Sequence, residues 1–415
     1  MSMSPAKKTG RSAGANSRNL ALLLTCQAVT TLGLMMLVPI MPLYVATLIP
    51  ANTADVIDVA GAARWSSLAL AAPGLGTLCF APYAGKWCDR FGYRRMLLVS
   101  LTLFIVSMLL MALSPGITGF MLGRLLQGVS TIGVVLTAFI GHVSNDTSRG
   151  RSLGLQESAI ACGALAGPVL GGMMLDYWSL RPLLTASALA TGVAGGILWS
   201  QLSEPPKAAA SGPVQFSGLR SVLADRDLRR WMLAVCLTQA AGFALINVFA
   251  LYIAARFPHA GALASKTGTL HALGWLATML ASPLWGHLGD RGEPRRHFIL
   301  AAGACALAMG LLTIADQLWL VALLRILQGA CYAALMQSML LACSRQLPAS
   351  AYGHLTGISR SFMVLGQMLG PLLSMLLLPI LAPIHLLWAV AALFLSAGLL
   401  VLSGRPAALA SPLQS

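Results

Sequence analysis

Twelve apolar runs, each long enough to cross a bilayer at about 1.5 Å per residue, alternate along this chain with short polar breaks. They fall at about 20–49, 65–84, 96–113, 117–143, 152–176, 183–202, 231–255, 267–285, 297–315, 317–343, 353–378 and 384–403. The pattern predicts an all-α polytopic membrane protein. The first run is too long for a signal-peptide core and lacks a cleavage site, so it reads as an uncleaved helix. Residues 1–18 before it are polar and basic and read as a disordered tail. The longest polar interruption, 203–230, divides a six-helix half at 19–202 from a second at 231–404, and 405–415 form a short tail. Glu204–Pro213 reads as a flexible linker. Phe216–Arg230 puts Phe216, Leu219, Val222 and Leu223 on one side and reads as a short interfacial helix.

Composition removes the soluble alternatives. Only 9% of residues are charged and 57% are hydrophobic, and mean hydropathy is +0.78. The net charge of +15 would raise nucleic-acid binding, but its distribution argues against that. With the N-terminus inside, 20 of the 27 Lys and Arg fall on the side of the termini and 4 on the opposite side. The other three, Arg124, Arg325 and Arg360, lie inside apolar runs. The positive-inside rule then puts both termini in the cytoplasm of a multi-pass inner-membrane protein. The eight cysteines have no paired spacing and read as small core residues, with no disulfide framework or metal site.

Within the fifth run stands Gly154, then Gly163, Gly167-Pro168 and Gly171-Gly172. Proline there removes a helix hydrogen bond, and the glycines bare one face for close helix approach. Gly357, Gly366 and Gly370-Pro371 repeat the spacing 203 positions on, without the final glycine pair. Gly85-x3-Asp89-Arg90-x3-Arg94-Arg95 recurs 201 positions on as Gly286-x3-Asp290-Arg291-x3-Arg295-Arg296. Arg124-x2-Gln127-Gly128 recurs at the same shift as Arg325-x2-Gln328-Gly329. Two six-helix halves are therefore parallel repeats, an arrangement that binds substrate between them near the midplane.

These motifs resemble those of the major facilitator superfamily, and within it the twelve-helix drug:proton antiporter exporters, siderophore exporters among them. The basic turn after the second helix, the Arg124 run and the fifth-helix glycine motif each match a signature of that family. Departures are Trp87-Cys88 and Tyr93 in the first basic turn and Glu293-Pro294 in the second. The resemblance implies that Asp89 docks on the start of the eleventh helix and Asp290 on the fifth, as a gate with Gly85, Arg90, Arg94, Arg95 and Arg291. Asp146 joins the same charge network. It also implies a monomer, and helices 1, 4, 7 and 10 around a central cavity. The cavity candidates are then Gln27, Thr30, Thr31, Arg124, Gln127, Gln239, Asn247, Arg325, Gln328, Tyr332 and Gln337.

None of those four helices carries an acid, which favours a polar neutral or anionic substrate over a lipophilic cation. Glu157 is the carboxylate clearly inside a span and is the candidate proton carrier, since burial favours its neutral form. A carboxylate near water at a helix entrance is the bland reading of the same residue. His271 is a weaker candidate for the proton path. No ATP-binding loop or hydrolase motif occurs, so no cofactor is expected and the energy comes from an ion gradient or the substrate's own, which the resemblance to drug:proton antiporters implies is a proton gradient. The sequence thus reads as an exporter of a small siderophore-like metabolite or drug, and not an enzyme. An importer of the same fold is the alternative, and a transporter-like sensor or enzyme a more distant one.

Overall fold

The computed structural model describes residues 5–49, 59–143, 149–202, 223–259, 261–344 and 352–404, and every regular element among them is helical. Helices α1 (Pro5–Met35) and α2 (Met41–Leu48) form the first span, joined by a tight turn at Val38–Ile40. Pro39 and Pro42 sit in first-turn positions, where a missing N–H costs nothing. The second and third spans are α3 (Val59–Phe91) and α4 (Tyr93–Leu113), reversed at Gly92 with φ 92°. The fourth comprises α5 (Ile117–Val129) and α6 (Ile132–Val143), followed by α7 (Arg149–Tyr177) and α8 (Leu180–Gln201). The second half consists of α9 (Arg226–Arg256), α10 (Leu263–Arg291), α11 (Pro294–Leu312), α12 (Leu318–Ser344), α13 (Tyr352–Leu377) and α14 (Pro383–Leu402). Among the described residues, ten spans are long and apolar enough to cross a membrane by length and composition alone. The helices α3 and α10, with polar residues at their ends, complete the twelve.

Three boundaries differ from the hydropathy reading. The first helix begins at Pro5, inside the stretch read as a disordered tail. Proline suits a first helical turn, and the Ala and Lys residues that follow are strong helix formers. Arg226–Arg230 belong to the seventh span and not to a separate interfacial helix, because Asp225 caps α9 by accepting from the N–H groups of Asp227 (2.8 Å) and Leu228 (3.0 Å). Residues 203–222 lie outside the described residues. The fourth span is broken at Thr131, whose φ of 46° is a left-handed conformation that a β-branched residue rarely adopts. Its counterpart α12 runs unbroken.

Each half has its own core, one around Phe104, Phe120 and Phe139, the other around Phe249, Phe298 and Phe394. Within the first half α7 packs on α1, and within the second α13 packs on α9. A Cβ at Gly163 would lie 2.7 Å from the Ala28 carbonyl and the Leu32 nitrogen, and one at Gly167 2.9 Å from Leu32 and Met36. Gly366 and Gly370 meet Cys236, Ala240 and Ala244 in the same way. The repeated glycines thus bring backbones together. Leu32 corresponds to Ala240 and Met36 to Ala244, a shift of 208 along the first and seventh spans. Gly128 likewise abuts Pro73 on α3, and Gly329 abuts Gly274 on α10.

The halves meet along two seams, α7 with α10 and α3 with α13. In the first, Gly172 lies against Ala264 and Gly268 against the Pro168 carbonyl. The second half has Ser374 and Met375 where the first has Gly171-Gly172, and at its seam Gly74 faces the flexible Met368 side chain instead of backbone.

Candidate functional site

Two arginines define the interior. Arg124 is 1% exposed. Its Nε donates to the Ala69 carbonyl on α3 at 2.8 Å, and its Nη1 donates to Gln127 Oε1, one turn along the same face. Arg325 is 3% exposed, and its Nη1 donates to Gln328 Oε1 at 2.6 Å. The two Arg–Gln pairs are the sequence repeat rendered in space. Their third partners differ. Arg325 Nη2 lies 3.2 Å from His271 Nδ1 on α10, and its guanidinium stacks 5.0 Å from the centre of the Phe249 ring. At the repeat shift of 201, His271 stands where the first half has Leu70. Among the described residues no carboxylate pairs with either arginine. Arg325 Nε and Gln127 Nε2 are buried with no protein partner.

The remaining cavity candidates fall into three groups. Gln27 donates to Thr31 at 3.0 Å and accepts from Gln156 at 3.1 Å, and Gln156 also approaches Thr137 at 2.8 Å. This amide network joins α1, α6 and α7. Thr30 is satisfied by its own helix, donating to the Cys26 and Gln27 carbonyls. In the second half Gln367 donates to Gln239 at 3.2 Å. The 208 shift makes Gln239 the counterpart of Thr31. Half-buried Tyr332 packs edge-on to Phe394 with its hydroxyl beside Gly242, and half-buried Gln337 holds an enclosed Oε1 with no partner. Asn247, on α9, is fully buried and bridges to α3 of the other half, donating to Ser67 at 2.6 Å and accepting from Ser66 at 2.9 Å.

The basic turns hold their own halves together. Arg94 donates to the Trp199 carbonyl at the end of α8 and stacks 4.6 Å from that indole. Arg295, 201 positions on, donates to the Val401 carbonyl near the end of α14 at 2.8 Å and pairs with Asp227 at 3.5 Å. Each guanidinium meets the negative end of a helix dipole. Arg90 lies over Phe91, and Arg95 is exposed. Asp146 and the side chains of Asp89, Glu157, Asp290 and Arg291 lie outside the described residues, while Gly85, Gly154 and Gly357 lie within α3, α7 and α13.

Several functional groups escaped the sequence reading. Gln156 and Gln367 are polar residues beside motif positions, at Glu157 and Gly366. Asp176 was legible only as the end of a span. It accepts from the backbone N–H groups of Ala264 (3.0 Å) and Ser265, at the first turn of α10. Its signal was an acid in the last turn of its own helix, a position that the dipole disfavours. The inter-half contacts from Asp176 and from Asn247 lie in the part of the bundle away from the chain termini.

Comparison with known proteins agrees with this geometry. The family profile described as Major Facilitator Superfamily matches residues 23–260 and 259–414. The chain is 31% identical over 375 residues to a protein named Staphyloferrin B transporter from Staphylococcus aureus (strain NCTC 8325 / PS 47), covering 85% of each. It is 26% identical to a Multidrug resistance protein MdtG of Salmonella arizonae, covering 81% of this chain and 83% of that one. In fold it is similar to a bacterial homologue of the human lysosomal transporter Spinster, solved inward-facing and unoccupied, with a TM-score of 0.71, 13% identity and 94% of each chain covered.

Proposed function

The chain belongs to the Major Facilitator Superfamily, and from that premise we propose that it is a proton-coupled secondary transporter exporting a small polar organic molecule across the cytoplasmic membrane. The observation that carries the substrate class is the pair of buried guanidiniums, Arg124 and Arg325, with no carboxylate partner among the described residues. A buried cation is costly without a counter-charge or a full set of acceptors. A carboxylate-bearing or strongly hydrogen-bonding solute supplies both. A siderophore-like metabolite fits that chemistry and accords with the name of the relative at 31% identity. A drug-like solute comes second.

Alternating access gives the mechanism. With both termini in the cytoplasm, the inter-half contacts from Asp176 and Asn247 lie toward the outside. A solute binding between Arg124 and Arg325 draws the halves together on the inner side. Parting of the outer seams at Asp176 and Asn247 then releases it outward. The return is driven by protons, and the protein acts as a monomer with no cofactor and no catalytic step.

The test uses inverted vesicles containing the purified protein and an inward-acid pH gradient, with apo-staphyloferrin B and ethidium as probes. Gradient-dependent accumulation abolished by an uncoupler is the expected result. Accumulation indifferent to the uncoupler excludes proton antiport. Accumulation confined to right-side-out vesicles makes the protein an importer.

A further inference from the structure

Resting on the proton-coupled reading above, we propose that His271 is a proton-binding residue of the transport cycle, and that its proton acts by breaking the contact with Arg325. The geometry begins with valence. Arginine has five N–H donors and no acceptor, so the 3.2 Å approach of Arg325 Nη2 to His271 Nδ1 is a hydrogen bond only if Nδ1 offers its lone pair. The imidazole of the described state is therefore neutral, with its hydrogen on Nε2. A proton arriving at Nδ1 consumes that lone pair and sets two cationic N–H groups against each other. The contact cannot survive it.

The surroundings leave His271 as the group that changes charge here. It is 5% exposed. From α12 the charged group facing it is Arg325 itself, and from α11 the Cys305 thiol donates to the Gln328 carbonyl at 3.5 Å. From α9 comes the neutral ring of Phe249. On α7, Asp176 is engaged at the start of α10, two turns away. The antiparallel register that sets Gly172 against Ala264 and Pro168 against Gly268 places Leu165 level with His271. Glu157 is eight residues further along α7, about 12 Å away in depth.

The location ties the proton to conformation. The helix α10 meets α12 through the His271–Arg325 contact, the Gly274–Gly329 backbone approach and the bonds of Thr278 and Trp285 to the Gly329 and Ala330 carbonyls, and it meets the other half through its glycine seam with α7. Losing the first releases the Arg325 guanidinium from α10 while the others keep the two helices together. The first half has Leu70 at this place, so the pair is a property of the second half alone. The proton acts on the α10–α12 contact and does not compete for the substrate's place. The described state, with the His271–Arg325 contact made, is the proton-free form.

The test uses the full-length protein with 15N-labelled histidine and arginine in lipid nanodiscs, followed by NMR from about pH 8.5 to 4.5. At the alkaline end His271 should show an acceptor Nδ1 and a protonated Nε2. On acidification Nδ1 should gain its proton while the Arg325 Nη resonances move with the same midpoint. The substitution His271→Gln, which keeps an acceptor that does not titrate, should hold the Arg325 resonances still. A neutral pattern throughout, or protonation with Arg325 unmoved, overturns the proposal. In the vesicle assay, accumulation by His271→Gln should become the same with and without uncoupler. Wild-type gradient dependence in that variant also overturns it. If wild-type accumulation ignores the gradient, the proton-coupled reading fails by itself, and the NMR titration alone decides the role of His271.

Discussion

Asp176 holds Ser265 across the boundary between the two halves. Its carboxylate, from the last turn of α7, accepts from the N–H groups of Ala264 and Ser265 where α10 begins. The first N–H groups of a helix have no partner within it and carry the positive end of its dipole. One side chain therefore satisfies two orphan donors and escapes the negative end of its own helix. It is the same kind of pairing that the family resemblance implies for Asp89 and Asp290, whose side chains lie outside the described residues.

Removing that carboxylate should loosen the seam. In Asp176→Ala, hydrogen–deuterium exchange at Ala264 and Ser265 should quicken about 5- to 10-fold, from the loss of about 1 kcal/mol of charge-assisted bonding at a helix start. Asp176→Asn, which retains one acceptor, should fall between. Unchanged exchange in Asp176→Ala would show that backbone packing alone keeps the seam shut.

The glycines of that seam should tolerate nothing larger. A Cβ at Gly268 runs into the Pro168 carbonyl, which is backbone and cannot rotate away. Gly268→Ala should therefore lower thermal stability by about 1–3 kcal/mol, the usual overpacking range, and weaken transport. Gly196, in α8, has nothing within 4 Å of its missing Cβ. Gly196→Ala should be neutral or stabilising by up to about 1 kcal/mol, from helix propensity alone. Thermal denaturation in detergent separates the two.

Asn247→Ala removes both buried bonds to Ser66 and Ser67. A loss of about 1–3 kcal/mol is expected. Exchange at the start of α3 should accelerate while exchange within α9 stays slow. Acceleration spread through both helices would mean that Asn247 supports the second-half core and not the seam.

Arg124→Met should cost little stability and most of the transport. The Ala69 carbonyl and Gln127 amide lose a donor, about 1–3 kcal/mol, but the desolvation of a buried cation is relieved, which offsets much of it. Net destabilisation below about 2 kcal/mol with transport down at least 10-fold is the expected pair of results. Full transport in a folded Arg124→Met variant would remove the guanidinium from the substrate path.

Much of the architecture is legible in the sequence because a bilayer imposes it. A span needs a run of apolar residues, and the halves repeat at 201–203 positions, so helix count, pairing and the Arg–Gln motifs follow from the string of letters. The glycine spacing likewise announces close packing. The break at Thr131 escaped the hydropathy pattern, although Gly128, Ser130, Thr131 and Gly133 cluster there where unbroken α12 has Gly329, Cys331, Tyr332 and Ala334.

What the sequence determined by itself is therefore the membrane class, the two-fold repeat and the presence of buried arginines. Each rests on local chemistry, since hydropathy, spacing and charge belong to residues wherever they fold. Tertiary structure alone decided the partners. It supplied the 208 shift of the first and seventh spans, which carry no matching motif to align, and so made Gln239 the counterpart of Thr31. It set Asn247 against Ser66 and Ser67 of the other half, set His271 against Arg325 and closed Asp176 on α10. Those contacts join residues 54 to 180 positions apart. Distance along the chain says nothing of them, because helix rotation and crossing, set by where the glycines let backbones touch, choose which polar groups meet.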